Sequence, residues 1–417
     1  VKPRPALPPG PWLVVGLARS GLAALAALRA RGEQARGVDR SHGDDTPAAL
    51  GGVRAVVKSP GVPREAPVVA AARERGIPVL GEVELAWRLL PNEVVAVTGT
   101  NGKTTTVELI GAIHREAGLP VAVAGNVGTA LSSLVGTLAP EATIACEVSS
   151  FQLEDALEFA PEGAVLLNLA PDHLDRHGSY EDYVAAKLRV FARQGNDDVA
   201  VAPLGLGVED LGGCARRVCF GSGPGAELAE RAGQLWWDEQ PLVAVEEIRL
   251  RGAHNRANAM AAAAVCLARG VEPDAVRAAL RGFAGVEHRL EEVGSVDGVL
   301  YVNDSKATNV DSTLVALASF AAPVHLILGG QGKGQDFTPL REPVRARCAG
   351  VYLVGEDAEA LAAVVGGERC GTLARAVAAA RAAARPGEVV LLSPACASFD
   401  QFEDFEARGR AFKDLVR

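Results

Sequence analysis

The stretch Thr98-Gly99-Thr100-Asn101-Gly102-Lys103-Thr104-Thr105 follows the apolar run Val94-Val95-Ala96-Val97 and leads into a helix-forming segment. Strand, glycine-rich loop and helix in that order form the setting of a phosphate-binding loop. The glycines let successive N–H groups face phosphate oxygens, Lys103 can reach the terminal phosphates, and the Thr104 hydroxyl can ligate Mg²⁺. The usual first glycine of such a loop would fall at Val97, and Gly99 is used instead. A nucleotide site of a variant kind is therefore expected.

Upstream, Trp12-Leu13-Val14-Val15-Gly16 is a short buried-strand pattern. It runs into Leu17-Ala18-Arg19-Ser20-Gly21 and an Ala/Leu helix ending near Gly32, and Asp39 closes the next strand. This is a βαβ unit with a glycine turn at its helix start, a place suited to phosphate. Ala18 stands where a dinucleotide fingerprint has its middle glycine, which counts against nicotinamide. A tight turn with no ligand stays open. Val56-Val57-Lys58-Ser59-Pro60-Gly61 reads as a second strand-to-loop junction on the same edge. Downstream, strands are expected at residues 142–147, 164–169, 324–328, 351–354 and 389–392, alternating with helices. That alternation predicts parallel sheets covered on both faces. The expected fold is α/β with three domains: N-terminal Rossmann-like (1–82), central P-loop ATPase with a parallel sheet (83–286) and C-terminal Rossmann-like (287–417).

The 417 residues suit two to four domains at roughly 100–200 residues each. Hydrophobic residues at 48% and charged residues at 22% argue against disorder. A net charge of −9 counts against a nucleic-acid or anionic-membrane partner. No apolar run is long enough to span a bilayer, and Val1-Lys2-Pro3-Arg4-Pro5 lacks the apolar core of a signal peptide. A cytoplasmic monomer is expected. The seven cysteines (146, 214, 219, 266, 348, 370 and 396) include no Cys-x-x-Cys pair and read as reduced thiols rather than a disulfide or zinc framework. Only seven lysines accompany 35 arginines, and four of them, Lys103, Lys187, Lys306 and Lys333, lie in Gly- or Asp-rich motifs. Lysine offers a compact charge and a titratable amine that arginine cannot imitate, so these positions are candidates for chemistry.

The loop at residues 98–105 resembles the ATP loop of the Mur ligases and folylpolyglutamate synthetases. Further motifs follow in the order of the Mur ligase family. They are Glu147-Val148-Ser149-Ser150-Phe151-Gln152-Leu153, Asp172-His173-Leu174-Asp175-Arg176, Tyr183-Val184-Ala185-Ala186-Lys187 and Gly252-Ala253-His254-Asn255. Then come His288-Arg289, Asn303-Asp304-Ser305-Lys306-Ala307-Thr308-Asn309, Gly329-Gly330-Gln331-Gly332-Lys333 and Ser393-Pro394-Ala395-Cys396-Ala397-Ser398. The resemblance covers essentially the whole chain, is tightest in the central and C-terminal parts, and points to the family's D-glutamate-adding branch. It implies a ligase using ATP and Mg²⁺ at two sites. The carboxylate of UDP-N-acetylmuramoyl-L-alanine would become an acyl phosphate, which the amine of D-glutamate attacks, in peptidoglycan precursor synthesis.

The resemblance also implies residue roles. ATP would be held by Gly99, Thr100, Asn101, Gly102, Lys103, Thr104 and Thr105, with Asn255 reading adenine and Arg289 and Asp304 closing from the third domain. Mg²⁺ would be held by Thr104 and Glu147 and, at a second site, by His173 and a carbamylated Lys187. Lys103, His173 and Lys187 are thus the catalytic candidates. Arg19, Ser20, Asp39, Arg40, Ser59, Pro60, Gly61 and Asn126 would contact the nucleotide-sugar, and Lys306, Thr308, Lys333, Ser398, Phe399 and Phe405 the D-glutamate. Phe399 stands where the family often has Leu.

Plainer readings remain open at this level. Glu147 can be a loop acid, Lys187 an exposed helix lysine, Asp304 and Lys306 a surface ion pair, and Phe405 core packing. His177 reads as a surface histidine, since no zinc partner stands at useful spacing. The runner-up activities are a folylpolyglutamate synthetase-like enzyme, which lacks the unit ahead of the phosphate loop, or another Mur-type amino acid ligase. A nicotinamide oxidoreductase or an inert nucleotide-binding regulator fits less well: the first lacks its glycine, and the second would not keep Lys103, Glu147, His173 and Lys187 together.

Overall fold

Trp12–Val15, Val94–Thr98 and Val389–Leu392 are strands buried along their whole length, as short apolar runs must be in sheets covered on both faces. The computed structural model describes residues 2–206, 210–250, 252–332 and 334–417. The chain divides into one unit of Val1–Arg249 with His254–Phe283 and a second of Leu250–Ala253 with Ala284–Arg417. Among the described residues the first unit carries two sheets and the second carries one.

The first sheet has four parallel strands in the order Ala35–Val38, Trp12–Val15, Ala55–Lys58, Val79–Gly81. Side chains alternate along a strand, so Trp12 and Val14 pack with Ala24, Leu25 and Leu28 of the helix Arg19–Ala30. Leu13 and Val15 face the other way, against Val68, Val69 and Ala72 of the helix Pro67–Glu74. Truncating one of these, such as Leu28→Ala, costs about 2–5 kcal/mol through lost transfer energy and a residual cavity. The helix lies so close to the sheet that a Cβ on Gly21 would meet the Gly16 carbonyl oxygen at 1.8 Å. The glycine turn thus sets helix–strand packing first.

The second sheet has nine strands among the described residues, and Val94–Thr98 lies inside it, third from one end of the strand order. It pairs in parallel with Thr143–Glu147 on one side, Val97 opposite Glu147, and with Gly163–Leu166 on the other, Thr98 opposite Leu166. Three strand ends, and the loops leaving them, therefore meet at one edge, where the chain order reverses and ligands of open α/β sheets collect. Beyond Val199–Pro203 the fold departs from the expected alternation. Arg216–Gly221, Leu228–Arg231, Gln234–Trp237 and Gln240–Ala244 follow with no helix between them, and the last three form an antiparallel meander. Its tight turns place Ala232, Asp238 and Glu239 at positive φ, a conformation that hairpin turns require and these residues do not advertise.

The six-stranded sheet of the second unit runs Glu291–Val296, Val299–Asn303, Val389–Leu392, Val324–Gly329, Cys348–Val354, Glu368–Gly371. It is parallel except for the first strand, which forms a hairpin through Asp297-Gly298 and makes an antiparallel edge in place of the expected parallel sheet. Among the described residues no helix is long and apolar enough to cross a membrane.

Candidate active site

The phosphate loop is built by the end of Val94–Thr98 and the start of the helix Lys103–Glu116. Gly102, at φ +87°, caps that helix, and a Cβ there would lie 2.1 Å from Asn258 Oδ1. Only glycine fits on both counts. Lys103 Nζ curls back to donate to the carbonyls of Gly99 (2.9 Å) and Thr100 (2.8 Å). Asn168, past the neighbouring strand, accepts from the Asn101 N–H (2.9 Å) and donates to its carbonyl (3.0 Å). The Thr100 hydroxyl lies 2.8 Å from the Tyr183 hydroxyl and accepts from the Ala170 N–H at 3.0 Å. Asn101 is exposed and Thr104 and Thr105 are buried, so the loop is firmly based and open at its tip.

Beneath the loop, the Thr104 hydroxyl donates to Glu147 Oε2 at 2.7 Å, and Asn126 Nδ2 donates to the other carboxylate oxygen at 2.9 Å. Glu147 is buried, which excludes a loop acid turned to solvent. A hydroxyl and a carboxylate held together are hard oxygen donors of the kind Mg²⁺ selects, so the donor set fits that ion. Asn126, expected on the nucleotide-sugar, has its amide on the carboxylate in this structure.

Lys187 is 2% exposed rather than an open helix lysine. It sits on the helix Tyr180–Leu188, whose N-cap Ser179 accepts from the Asp182 N–H. Its Nζ donates to the Gly99 carbonyl at 2.8 Å and lies 4.6 Å from the centre of the Tyr183 ring. Burial, with the nearby Lys103 cation adding to it, lowers the Lys187 pKa to about 7 against the pull of Asp172 and Glu147. A substantial fraction of this amine is neutral, and hence nucleophilic, near neutral pH.

His173 follows Gly163–Leu166 at φ +51°. Its half-exposed ring has Nε2 3.5 Å from Asp172 Oδ2 and packs 4.8 Å from Phe151. His177 corrects the expectation of a surface histidine: its side chain is 3% exposed. The helix Leu174–His177 turns it back onto Phe151, where it stacks at 5.3 Å, pairs with Ser150 Oγ at 3.0 Å and faces Glu154 at 3.2 Å. Burial lowers its pKa. Asn255, on the helix Ala253–Ala268, is buried and accepts from Asn258, the residue packed against Gly102.

In the four-stranded sheet, Asp39 accepts from the Leu17 N–H at 2.6 Å and from the Ser41 N–H and hydroxyl. Those bonds, Leu17 foremost, lower its pKa to about 2. Asp39 thereby pins the glycine turn. Ser59 Oγ donates to the Gly16 carbonyl at 2.6 Å, and Arg19 Nη1 to the Gly128 carbonyl at 2.8 Å, which ties this edge to the Asn126 loop. Arg40 and Gly61 are exposed, and Ser20 and Pro60 partly so.

In the second unit, Asp304 and Ser393 leave adjacent strand ends, and Ser393 Oγ donates to Asp304 Oδ2 at 2.8 Å. The Leu290 N–H donates to Oδ1 at 3.1 Å, which fixes the backbone beside Arg289. Asp304 is buried rather than half of a surface pair, and burial raises its pKa to about 7 against these donors and the Arg289 charge. Lys306 Nζ lies 3.6 Å from the centre of the Phe405 ring, a cation–π contact. Phe405 also meets His288 edge-on at 6.2 Å and is only partly buried. Thr308 follows on the same loop with its N–H on the Lys306 carbonyl. Ser398 is buried, whereas Phe399 is 62% exposed. Lys333 lies outside the described residues, but its neighbour Gln331 exchanges two backbone bonds of 2.9 Å with Ala397, so the two loops are joined.

Sequence reasoning missed Arg408. Its guanidinium is buried and donates to Ser305 Oγ (2.9 Å), the Ser305 carbonyl (2.9 Å), the Cys396 carbonyl (3.0 Å) and the Ala397 carbonyl (3.3 Å). It clamps the loop of Asp304 to that of Ser398. In an Arg-rich chain, one arginine within an amphipathic terminal helix gives no local signal. Tyr183 opens a motif of the family and could have been found. Asn168 could not.

The family model described as Mur ligase middle domain matches residues 97–266, and that described as Mur ligase, glutamate ligase domain matches residues 288–396. A UDP-N-acetylmuramoylalanine–D-glutamate ligase of Acidobacterium capsulatum is 44% identical, over 97% of this chain and 95% of that one. Among solved structures, UDP-N-acetylmuramate–alanine ligase MurC of Thermotoga maritima superposes with a TM-score of 0.60 at 18% identity, covering 97% and 98% of the two chains. E. coli FolC in complex with ADP gives 0.59 at 18% identity, covering 80% of this chain and 92% of that one. At these identities the structural likeness speaks for the fold.

Proposed function

The chain belongs to the Mur ligase family, and we propose that it joins UDP-N-acetylmuramoyl-L-alanine to D-glutamate in an ATP-dependent step of peptidoglycan precursor synthesis. A carboxylate resists attack by an amine. Transfer of the γ-phosphoryl group to one carboxylate oxygen gives an acyl phosphate and ADP. The D-glutamate amine then adds to the acyl carbon, and phosphate departs with that oxygen as the amide forms and the ammonium protons go to solvent. Such transfers depend on positioning and on charge stabilisation of phosphoryl oxygens.

The observation that carries this reading is the arrangement at three adjacent strand ends: Thr104 on Glu147, Asn126 on the same carboxylate, and Lys187 on the Gly99 carbonyl of the phosphate loop. Mg²⁺, when bound, supplies positive charge to the phosphates, and we assign Thr104 and Glu147 to hold it. Lys103 would release the Gly99 and Thr100 carbonyls to reach phosphate. We assign the second magnesium site to His173 and Lys187. The neutral amine of Lys187 would add CO₂ and lose a proton, turning a cation into an anionic carbamate ligand. Arg19, Asp39 and Ser59 shape the nucleotide-sugar end, and Lys306, Thr308 and Ser398 the D-glutamate end. We place the protein in the cytoplasm as a monomer, with domains 1–82, 83–286 and 287–417.

Phosphate release should require ATP, Mg²⁺, UDP-N-acetylmuramoyl-L-alanine and D-glutamate together. Release supported by L-glutamate, or by a folate in place of the nucleotide-sugar, would overturn the assignment.

A further inference from the structure

Lys58 ends the strand Ala55–Lys58, immediately before Ser59-Pro60-Gly61, and its side chain is fully buried. Its Nζ lies 2.8 Å from Asp155 Oδ2, on a side chain that is 2% exposed, and donates to the Val62 carbonyl at 2.8 Å. Asp155 belongs to the nine-stranded half of the unit, just beyond the helix Ser150–Leu153 that follows Glu147. Its other oxygen takes Arg73 Nη2 at 2.9 Å, and its backbone carbonyl accepts from the Gly81 N–H at 3.3 Å. The same Val62 carbonyl accepts from Arg176 Nη2 at 3.3 Å. Arg176 stands on the short helix after His173, with its guanidinium 4.1 Å from the centre of the Phe151 ring and 3.6 Å from Glu154.

One loop, residues 59–62, is thus tied from two directions: through Lys58 and Asp155 to the segment after Glu147, and through Arg176 to the segment after His173. A buried ion pair is a costly way to gain stability, since well-packed apolar residues often do as well. What it supplies is a fixed distance and orientation between the elements that carry its two ends.

We propose that Lys58 and Asp155 are positioning residues that hold the nucleotide-sugar loop in register with the Glu147 and His173 segments, so that the substrate carboxylate meets the γ-phosphate. This rests on the assignment of Ser59, Pro60 and Gly61 to the nucleotide-sugar and of Glu147 and His173 to magnesium. Displacements of about 1 Å away from the chemistry can cost about a hundredfold in rate, so the effect should fall on turnover rather than on the binding of either substrate alone.

Two variants test it: Asp155→Asn, which keeps the shape and removes the charge, and Lys58→Met/Asp155→Leu, which replaces the pair by apolar side chains. Each should lower kcat at least about tenfold. Calorimetric Kd values for ATP and for UDP-N-acetylmuramoyl-L-alanine, measured separately, should stay within about threefold of the parent, and the double variant should keep its Tm. A double variant that turns over like the parent overturns the inference. So does a loss of turnover fully matched by weakened binding of either substrate, which would make the pair a binding or merely structural element. Should the double variant fail to fold, Asp155→Asn is read by the same criteria. The activity assignment fails on the parent protein alone, whereas this inference fails on the ratio of variant to parent.

Discussion

At the scale of single residues, the site is a set of groups whose surroundings override their usual behaviour. Burial lowers the Lys187 pKa to about 7 in the fold, from the ordinary value of 10.5 that unfolding restores. Between those values the unfolded chain binds more protons, so stability should rise with pH across that window. In CO₂-free, magnesium-free buffer, denaturant titrations should show a rise on the order of a few kcal/mol from pH 7 to 10 that Lys187→Met flattens. An unchanged slope would mean that the amine is solvated. Lys187→Ala should lose most turnover and recover part of it with a short carboxylic acid, which replaces a carbamate but not an ammonium. Glu147→Gln keeps the shape beside Thr104 and Asn126 and removes the anion. It should lower kcat by about two orders of magnitude and raise the Mg²⁺ requirement; an unchanged magnesium dependence would remove Glu147 from the metal site.

At the scale of elements, the phosphate loop depends on a glycine and the acceptor loops on a clamp. Gly102→Ala would meet both an adverse φ and Asn258, so the Kd for ATP should weaken at least about tenfold while the Tm falls modestly. Arg408→Met would take a donor from the Ser305 and Cys396 carbonyls, at about 1–3 kcal/mol for each one left buried and unsatisfied, while the Ala397 carbonyl keeps the Gln331 N–H. The KM for D-glutamate should rise more than that for ATP, and equal rises would show general loosening. Elements of this kind were legible where local sequence determines them. Val94–Thr98, the glycine loop and the helix from Lys103 could be read residue by residue, because apolar runs and glycines act locally. The meander at residues 228–244 could not, since Asp238 and Glu239 take a backbone conformation that sheet pairing imposes on them.

At the scale of the whole molecule, motif order identified the family while distant contacts organise the site. Asn168 on Asn101, Arg408 across two loops and Asp155 on Lys58 join residues far apart in the chain, and no local pattern announces them. The misplaced His177 has the same cause: its burial follows from Phe151, 26 residues earlier. In the activity we propose, nucleotide held at residues 98–105 activates the carboxylate of the nucleotide-sugar. That activation is tested most directly with UDP-N-acetylmuramoyl-L-alanine carrying ¹⁸O in both carboxylate oxygens, by mass spectrometry of the phosphate released with ATP, Mg²⁺ and D-glutamate. One ¹⁸O should appear in each phosphate and one should remain in the new amide. Unlabelled phosphate accompanying amide formation would contradict the proposed activation.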